Sequence, residues 1–299
     1  MSKGRTRLKR VIESYFFSHD SNETMNEIVP RSNAVIPIDT INYAVTFIRI
    51  RSQGHAPNHC DIGSATGFFF RNGSRRYLVT NRHVIVHEDS NFYPDNILIR
   101  VHASRDSNVP NRDISIPLYG PDHQRRWLEH GNHNIDVVAI PINAYIQPED
   151  NIEYFCPDDL PPSNLIIGVQ ENCMVIGYPR GFYDDTHNLP VYRLATIASA
   201  YGVSFRGNRY FLVDATLLEG TSGSPVILPS GLATRTIDIT TGTVTTTIGA
   251  HAPNRLLGIN SGGYIELEGL NRVWYANLIT EIISYDDSDN AGEQPAPPS

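Results

Sequence analysis

Between residues 210 and 228 the chain reads as strand, sharp turn and strand. Tyr210-Phe211-Leu212-Val213-Asp214-Ala215 and Pro225-Val226-Ile227-Leu228 are apolar extended runs, and Glu219-Gly220-Thr221-Ser222-Gly223-Ser224 lies between them. A serine flanked by glycines at such a place is what a nucleophile-bearing turn requires. The glycines let the backbone bend sharply and bring successive N–H groups close to an incoming carbonyl oxygen. Ser222 is therefore the candidate nucleophile, with the N–H groups of Gly220 and Ser222 as the expected oxyanion donors.

A serine hydroxyl is a weak nucleophile alone, so a base and an orienting carboxylate must be found elsewhere. Tyr77-Leu78-Val79-Thr80-Asn81-Arg82-His83-Val84 places a histidine at the end of one strand pattern, and Asn134-Ile135-Asp136-Val137-Val138-Ala139-Ile140 places an aspartate at the start of another. The order is His83, Asp136, Ser222, which is neither the subtilisin order nor that of the α/β-hydrolases. Asp136 is expected to hold the His83 ring so that its other nitrogen can take the Ser222 proton.

In this order and context the chain resembles the trypsin-like serine peptidases of bacterial type, nearest in pattern to the HtrA and V8-like glutamyl endopeptidase branches. Besides the three segments above, the resemblance rests on Thr66-Gly67-Phe68-Phe69, Val175-Ile176-Gly177-Tyr178-Pro179, Val213-Asp214-Ala215 and Leu257-Gly258-Ile259-Asn260-Ser261-Gly262-Gly263. It spans residues 41 to 284. It implies an all-β fold of two six-stranded antiparallel β-barrels, chymotrypsin-like, with the site in the cleft between them. It also implies a substrate pocket with Thr216 at its floor and Asn260, Ser261, Gly262 and Gly263 along its wall. No charge stands at these positions, so a small or medium uncharged side chain is expected before the cut. Thr221 stands where pancreatic-type enzymes carry the aspartate that pairs with a newly cut N-terminus, so activation by such cleavage is not expected. Asn260 stands where the V8-like branch has a histidine, so glutamate specificity is not carried over from the resemblance.

The rest of the chain fits this frame. About six strand signals occur by residue 142, among them Tyr43–Ile50, Ile97–Val101 and a hairpin turning at Asn72-Gly73. A Pro- and acid-rich stretch then marks a boundary near 160, giving a first barrel over 41–160 and a second over 161–284. A threonine-rich insert over 229–254 carries a hairpin signal and is expected to protrude near the cleft, as an inert hairpin or as a gate or partner-docking flap. Leu278, Ile279, Ile282 and Ile283 give a short C-terminal helix over 277–284 an apolar face. The acidic, Pro-rich tail 285–299 reads as disordered. At the other end, Leu8, Val11, Ile12, Tyr15 and Phe16 form a helical stripe among basic residues, in an extension and linker covering 1–40. His130 and His133 precede Asp136 in a loop and read as solvated.

With 299 residues, 40% hydrophobic and 19% charged, the chain can bury a sizeable core. Its formal net charge of −8 speaks against nucleic acid as the main partner. Three cysteines, Cys60, Cys156 and Cys173, cannot all pair and read as free thiols of a reducing compartment, with a single disulfide as the alternative; no signal peptide or membrane span is readable, and the expected location is the cytoplasm. The expectation is a serine endopeptidase acting on protein or peptide substrates with no metal or cofactor, under the control of a regulatory protein partner. The alternatives are a catalytically silent trypsin-fold binding module and a hydrolase of small esters or amides.

Overall fold

A computed structural model describes residues 39–52, 60–86, 92–103, 111–121, 123–249, 252–264 and 267–290. The expected N-terminal helix lies outside them. A 3-10 turn, Thr40–Ala44, opens the described chain, with the Asp39 carboxylate accepting from the Ile41 N–H.

The hydrophobic run Phe68-Phe69-Phe70 explains the architecture. It sits in β2 (Cys60–Asn72), which turns at Gly73 into β3 (Arg75–Thr80). Successive strand side chains point to opposite faces, so a continuous apolar run needs cover on both. Phe69 and Leu78 face the interior of the first sheet, whereas Phe68, Phe70, Tyr77 and Val79 face a second cluster shared with Tyr178, Tyr210 and Trp274. β2 and β3 are thus the wall between two halves of the molecule.

The first half is a seven-stranded antiparallel sheet ordered β5-β4-β1-β2-β3-β7-β6, with β1 at Val45–Ser52, β4 at Asn96–Val101, β5 at Arg112–Pro117, β6 at Leu128–Glu129 and β7 at Val138–Pro141. It is an open ladder, where the sequence suggested six closed strands. The extra member, β6, is only two residues long, and its outer edge is not joined to β5. The second half is a closed six-stranded barrel, as expected, in the order β10-β15-β14-β11-β8-β9. Its strands are β8 (Asn172–Gly177), β9 (Val191–Ile197), β10 (Tyr210–Asp214), β11 (Pro225–Leu228), β14 (Arg255–Tyr264) and β15 (Leu267–Tyr275). Cys173, Val175, Ala195, Ile197, Phe211 and Val213 fill its interior.

Between the sheets, residues 142–171 form no strand, and Phe155 fastens this linker to β2 through Phe155 N–H to Phe69 C=O at 3.0 Å and Arg71 N–H to Phe155 C=O at 2.8 Å. Helix α1 (Arg82–Ile85) follows β3, and α2 (Asn277–Asn290) closes the chain. Leu278, Ile279, Ile282 and Ile283 of α2 are buried in the shared cluster. The helix runs past residue 284 because no Gly or Pro interrupts it before Gly292. Tyr285, assigned to the tail by sequence, instead packs edge-on against His130, whose side chain is only 16% exposed and lies 3.7 Å from Glu281. His130 is thus a packing residue, whereas His133 is solvated. No helix of the described residues is long and apolar enough to cross a membrane.

The insert forms a separate hairpin, β12 (Ala233–Ile237) and β13 (Val244–Ile248). Its inner edge pairs with the linker through Ile166 N–H to Arg235 C=O and Ile237 N–H to Asn164 C=O, both at 2.9 Å. It is fastened to the linker; none of its hydrogen bonds among the described residues reaches a candidate site residue.

Gly258 of β14 is a strict requirement of barrel closure. A Cβ there would stand 2.1 Å from the Trp274 carbonyl oxygen and 2.7 Å from Val273 Cγ1. Gly258→Ala must push β14 from β15, and overpacking of this kind costs about 1–3 kcal/mol or more. The expected outcome in urea unfolding is a lower midpoint at unchanged slope.

Candidate active site

His83 lies in α1, one turn of helix begun at Asn81. Val86 N–H bonds to Arg82 C=O at 2.9 Å, and the Arg82 guanidinium reaches Glu129 at 3.1 Å, which pins the turn to β6. Both partners of that pair are mostly buried. Asp136 stands before β7 between the buried side chains of Ile135 and Val137. These two anchors leave its carboxylate no freedom to turn inward and present it to α1.

The carboxylate is held by three donors. His83 Nδ1 is 2.7 Å from Oδ2, the His83 backbone N–H donates to Oδ1 at 2.8 Å, and the Ser261 hydroxyl donates to Oδ2 at 2.6 Å. The Asn81 side chain donates to the Asp136 carbonyl at 2.8 Å. An acceptor-only carboxylate at Nδ1 fixes the proton on that nitrogen and leaves Nε2 unprotonated in the neutral ring. The His83 side chain is 37% exposed and Asp136 is 22% exposed, so the pair opens to solvent on the ring side.

The Ser222 turn comes from the other half of the molecule and is clamped by Thr66 of β2. Thr66 N–H donates to Ser222 C=O at 2.9 Å, its hydroxyl donates to Gly220 C=O at 2.8 Å, and the same hydroxyl accepts Tyr178 N–H at 3.0 Å. Thr80, three residues before His83, donates to Thr66 C=O at 2.8 Å. Ser222 is thereby brought to the strand ends that carry His83 and Asp136. Its hydroxyl is not hydrogen-bonded to the ring in this arrangement.

Within the turn, alternate N–H groups are used and spared. Those of Thr221, Gly223 and Ser224 donate to Leu218, Asn260 and Thr221 carbonyls, at 3.2, 2.9 and 3.1 Å. Those of Gly220 and Ser222 donate to no backbone carbonyl among the described residues. Gly220 has φ +87°, and a Cβ on it would lie 2.6 Å from Tyr178 C=O and 2.8 Å from Arg180 N. Glu219 C=O is turned away from the spared groups to accept Arg180 N–H at 2.6 Å. Gly223, at φ +83°, could carry no Cβ either, since it would stand 2.1 Å from Thr66 C=O.

The residues expected to line a pocket divide. Thr216 is exposed, and its carbonyl accepts from the Arg193 guanidinium at 2.7 Å. Gly262, at φ +85°, borders open space, and Gly263 pairs with Asn271. Asn271 in turn donates to Ala215 C=O at 2.7 Å, which ties the segment of Thr216 to the segment of Gly263. Asn260, expected on the wall, instead turns fully inward and donates to Thr221 C=O at 2.9 Å, bracing the turn that carries Ser222. Ser261 supports Asp136. These two roles depend on the packing of β14 against both halves, which local sequence does not reveal. Thr66 and Arg193 were not singled out by sequence; a threonine directly before the Gly67 of β2 was the only available signal for the first.

Cys156 and Cys173 are weak nucleophiles. Burial pushes the Cys173 thiol up to about 12 and raises that of Cys156 as well; neither forms a thiolate near neutral pH. Among the described residues no cluster of three or more His, Cys, Asp or Glu is placed to hold a metal ion.

A protein of two β-sheets with a His–Asp pair on one and a glycine-flanked serine turn on the other is of the trypsin type. The family model of the trypsin-like peptidase domain matches residues 65–233, more than half of the chain, and the chain belongs to that family. Solved structures that resemble it include the serine endoprotease from Yersinia pestis, at TM-score 0.47 and 15% identity over 84% of this chain and 67% of that one. The active form of the Rv3671c protease from M. tuberculosis resembles it at TM-score 0.45 and 15% identity over 81% and 80%, and an inactive form of the same protease at 0.43 and 15% over 82% and 89%. No curated protein matches the chain.

Thr66→Val tests the clamp. It keeps the shape but leaves Gly220 C=O and Tyr178 N–H without their buried partner, at about 1–3 kcal/mol for each group so stranded. The expected result is a clear loss of thermal stability together with at least a tenfold slower reaction of Ser222 with a fluorophosphonate, because the peptide that carries Gly220 is no longer fixed.

Proposed function

We propose that this protein is a serine endopeptidase that cuts peptide bonds of protein substrates through an acyl-enzyme. The observation that carries the reading is the three-donor cage that sets Asp136 on His83 Nδ1, beside a serine turn whose Gly220 and Ser222 N–H groups are spared. His83 Nε2 takes the Ser222 hydroxyl proton as Oγ bonds to the substrate carbonyl carbon. The oxygen, now negative, is held by the Gly220 and Ser222 N–H groups. The C–N bond then breaks, and His83 returns the proton to the leaving amine. Water repeats the sequence on the ester, releasing the acid and restoring Ser222.

Asp136 stays ionised throughout and stabilises the His83 imidazolium that forms. Every step uses side chains and backbone of this chain. With Cys156 and Cys173 carrying free thiols, the reading also favours a reducing compartment such as the cytoplasm.

Intact-mass analysis after exposure to a fluorophosphonate tests the assignment. One equivalent of adduct is expected on the native protein, and none on Ser222→Ala or His83→Ala. Absence of adduct on a folded native protein would overturn the reading. Asp136→Asn should fold yet hydrolyse a peptide amide about 10⁴-fold more slowly, since an amide in place of the carboxylate favours the wrong ring tautomer.

A further inference from the structure

We infer that the outer edge of β13 is a dimerisation surface, on which a second copy of this chain pairs its own β13 antiparallel about a two-fold axis through Thr246. This surface lies on the insert and is independent of the endopeptidase reading.

The alternation of the hairpin determines which backbone groups the edge offers. Gly249 N–H donates to Leu232 C=O and Asp238 N–H donates to Thr243 C=O, both at 2.9 Å, which fixes a hydrogen-bonded rung at each end of the β12–β13 ladder. The register between them runs from Ala233 opposite Ile248 to Ile237 opposite Val244, and in an antiparallel pair every second rung is hydrogen-bonded. Thr245 and Thr247 therefore turn their N–H and C=O toward β12, whereas Val244, Thr246 and Ile248 turn theirs away. On the opposite side of the hairpin the outward groups are taken, since Arg235 C=O accepts from Ile166 N–H and Ile237 N–H donates to Asn164 C=O. On the β13 side the sheet ends, and no strand or isolated bridge among the described residues joins it.

An open edge of this kind is ordinarily protected by shortness, charge or proline. The edges of the first sheet follow that rule: β6 is two residues long, and β5 carries Pro117 and the ion-paired Asp113. β13 does not. All its residues are β-branched and exposed, and residues 239–249 contain no charge and no proline. Val244 is 56% exposed and Ile248 79%, so its apolar side chains lie open as well. At its two ends, Gly242 and Gly249 have nothing within 4 Å of where a Cβ would stand, which leaves the whole strand approachable.

The strand's own residues identify the occupant. Val244-Thr245-Thr246-Thr247-Ile248 reads nearly the same in both directions. An antiparallel copy centred on Thr246 sets Val244 beside Ile248 of the second copy, Thr245 beside Thr247, and Thr246 beside itself. Apolar then meets apolar and hydroxyl meets hydroxyl. Each outward N–H finds an outward C=O across the axis, as an isologous contact requires. A shift of register sets threonine against an apolar residue or leaves outward groups unmatched. Charge favours the same occupant. With a net charge of −8, two copies repel as wholes and meet favourably only through a surface free of carboxylates, which the stretch 239–249 provides. A strand pair this short covers less than the ~1,200–2,000 Å² of a standard interface, so the dimer is weak and forms at about micromolar concentration or above.

Sedimentation velocity of the full chain over a dilution series at low salt tests the pairing. The native protein should pass from one copy to two as concentration rises, and no further, because pairing consumes the edge of each copy. Thr246→Lys and Thr246→Asp each set like charges face to face on the axis and should raise the dissociation constant about tenfold or more. Neither disturbs the hairpin, since residue 246 is exposed and its backbone groups face away from β12. An equimolar mixture of the two variants should restore association, because residue 246 then meets the opposite charge, and this rescue also shows that both variants are folded. A native protein that stays a single copy throughout the series would overturn the inference and leave the edge to an extended segment of another protein. Growth beyond two copies, a dimer that persists in both variants, or a mixture that restores nothing would overturn it as well.

Discussion

The site depends on one buried threonine. Thr66 belongs to the first sheet, yet its N–H and its hydroxyl make three hydrogen bonds to the second half of the molecule, and its carbonyl takes the Thr80 hydroxyl from the strand that leads to His83. A hydroxyl can donate once and still accept, and here it does both, to Gly220 C=O and from Tyr178 N–H. Ser222 and His83 come from different halves, and Thr66 links the segments that carry them. Close approach is possible only because Gly177 and Gly223 have no Cβ to intrude on Thr66. The requirement for glycine around Ser222 is in this sense as much about the first sheet as about the turn itself.

Fixing the turn has a cost that the rest of the structure must offset. Ser224 Oγ and Asn260 Oδ1 are fully buried and lack a protein partner among the described residues. Each unmade hydrogen bond of this kind costs about 1–3 kcal/mol. Both flank the segment whose Gly220 and Ser222 N–H groups are also spared. Unsatisfied polar groups and left-handed backbone gathered in one place are what a pre-organised site requires, because donors already spent on the protein could not stabilise a transition state. The shared apolar cluster of Phe68, Phe70, Tyr178, Tyr210 and Trp274 lies beside them and supplies compensating burial.

What the sequence makes legible is what local pattern controls. The hairpin at Gly73, the strand runs, the apolar face of α2 and the glycine-flanked serine are each written within about ten residues, and the structure has them where the pattern puts them. The elements that differ are those decided by pairing across long distances. β6 is two residues long and exists only because Leu128 and Glu129 meet β7. Asn260 and Ser261 are adjacent on one strand and so must face opposite ways; the sequence places both at a pocket, but alternation sends one beneath the turn and the other to Asp136. The helix past residue 284 has no apolar stripe to announce it, and nothing to stop it.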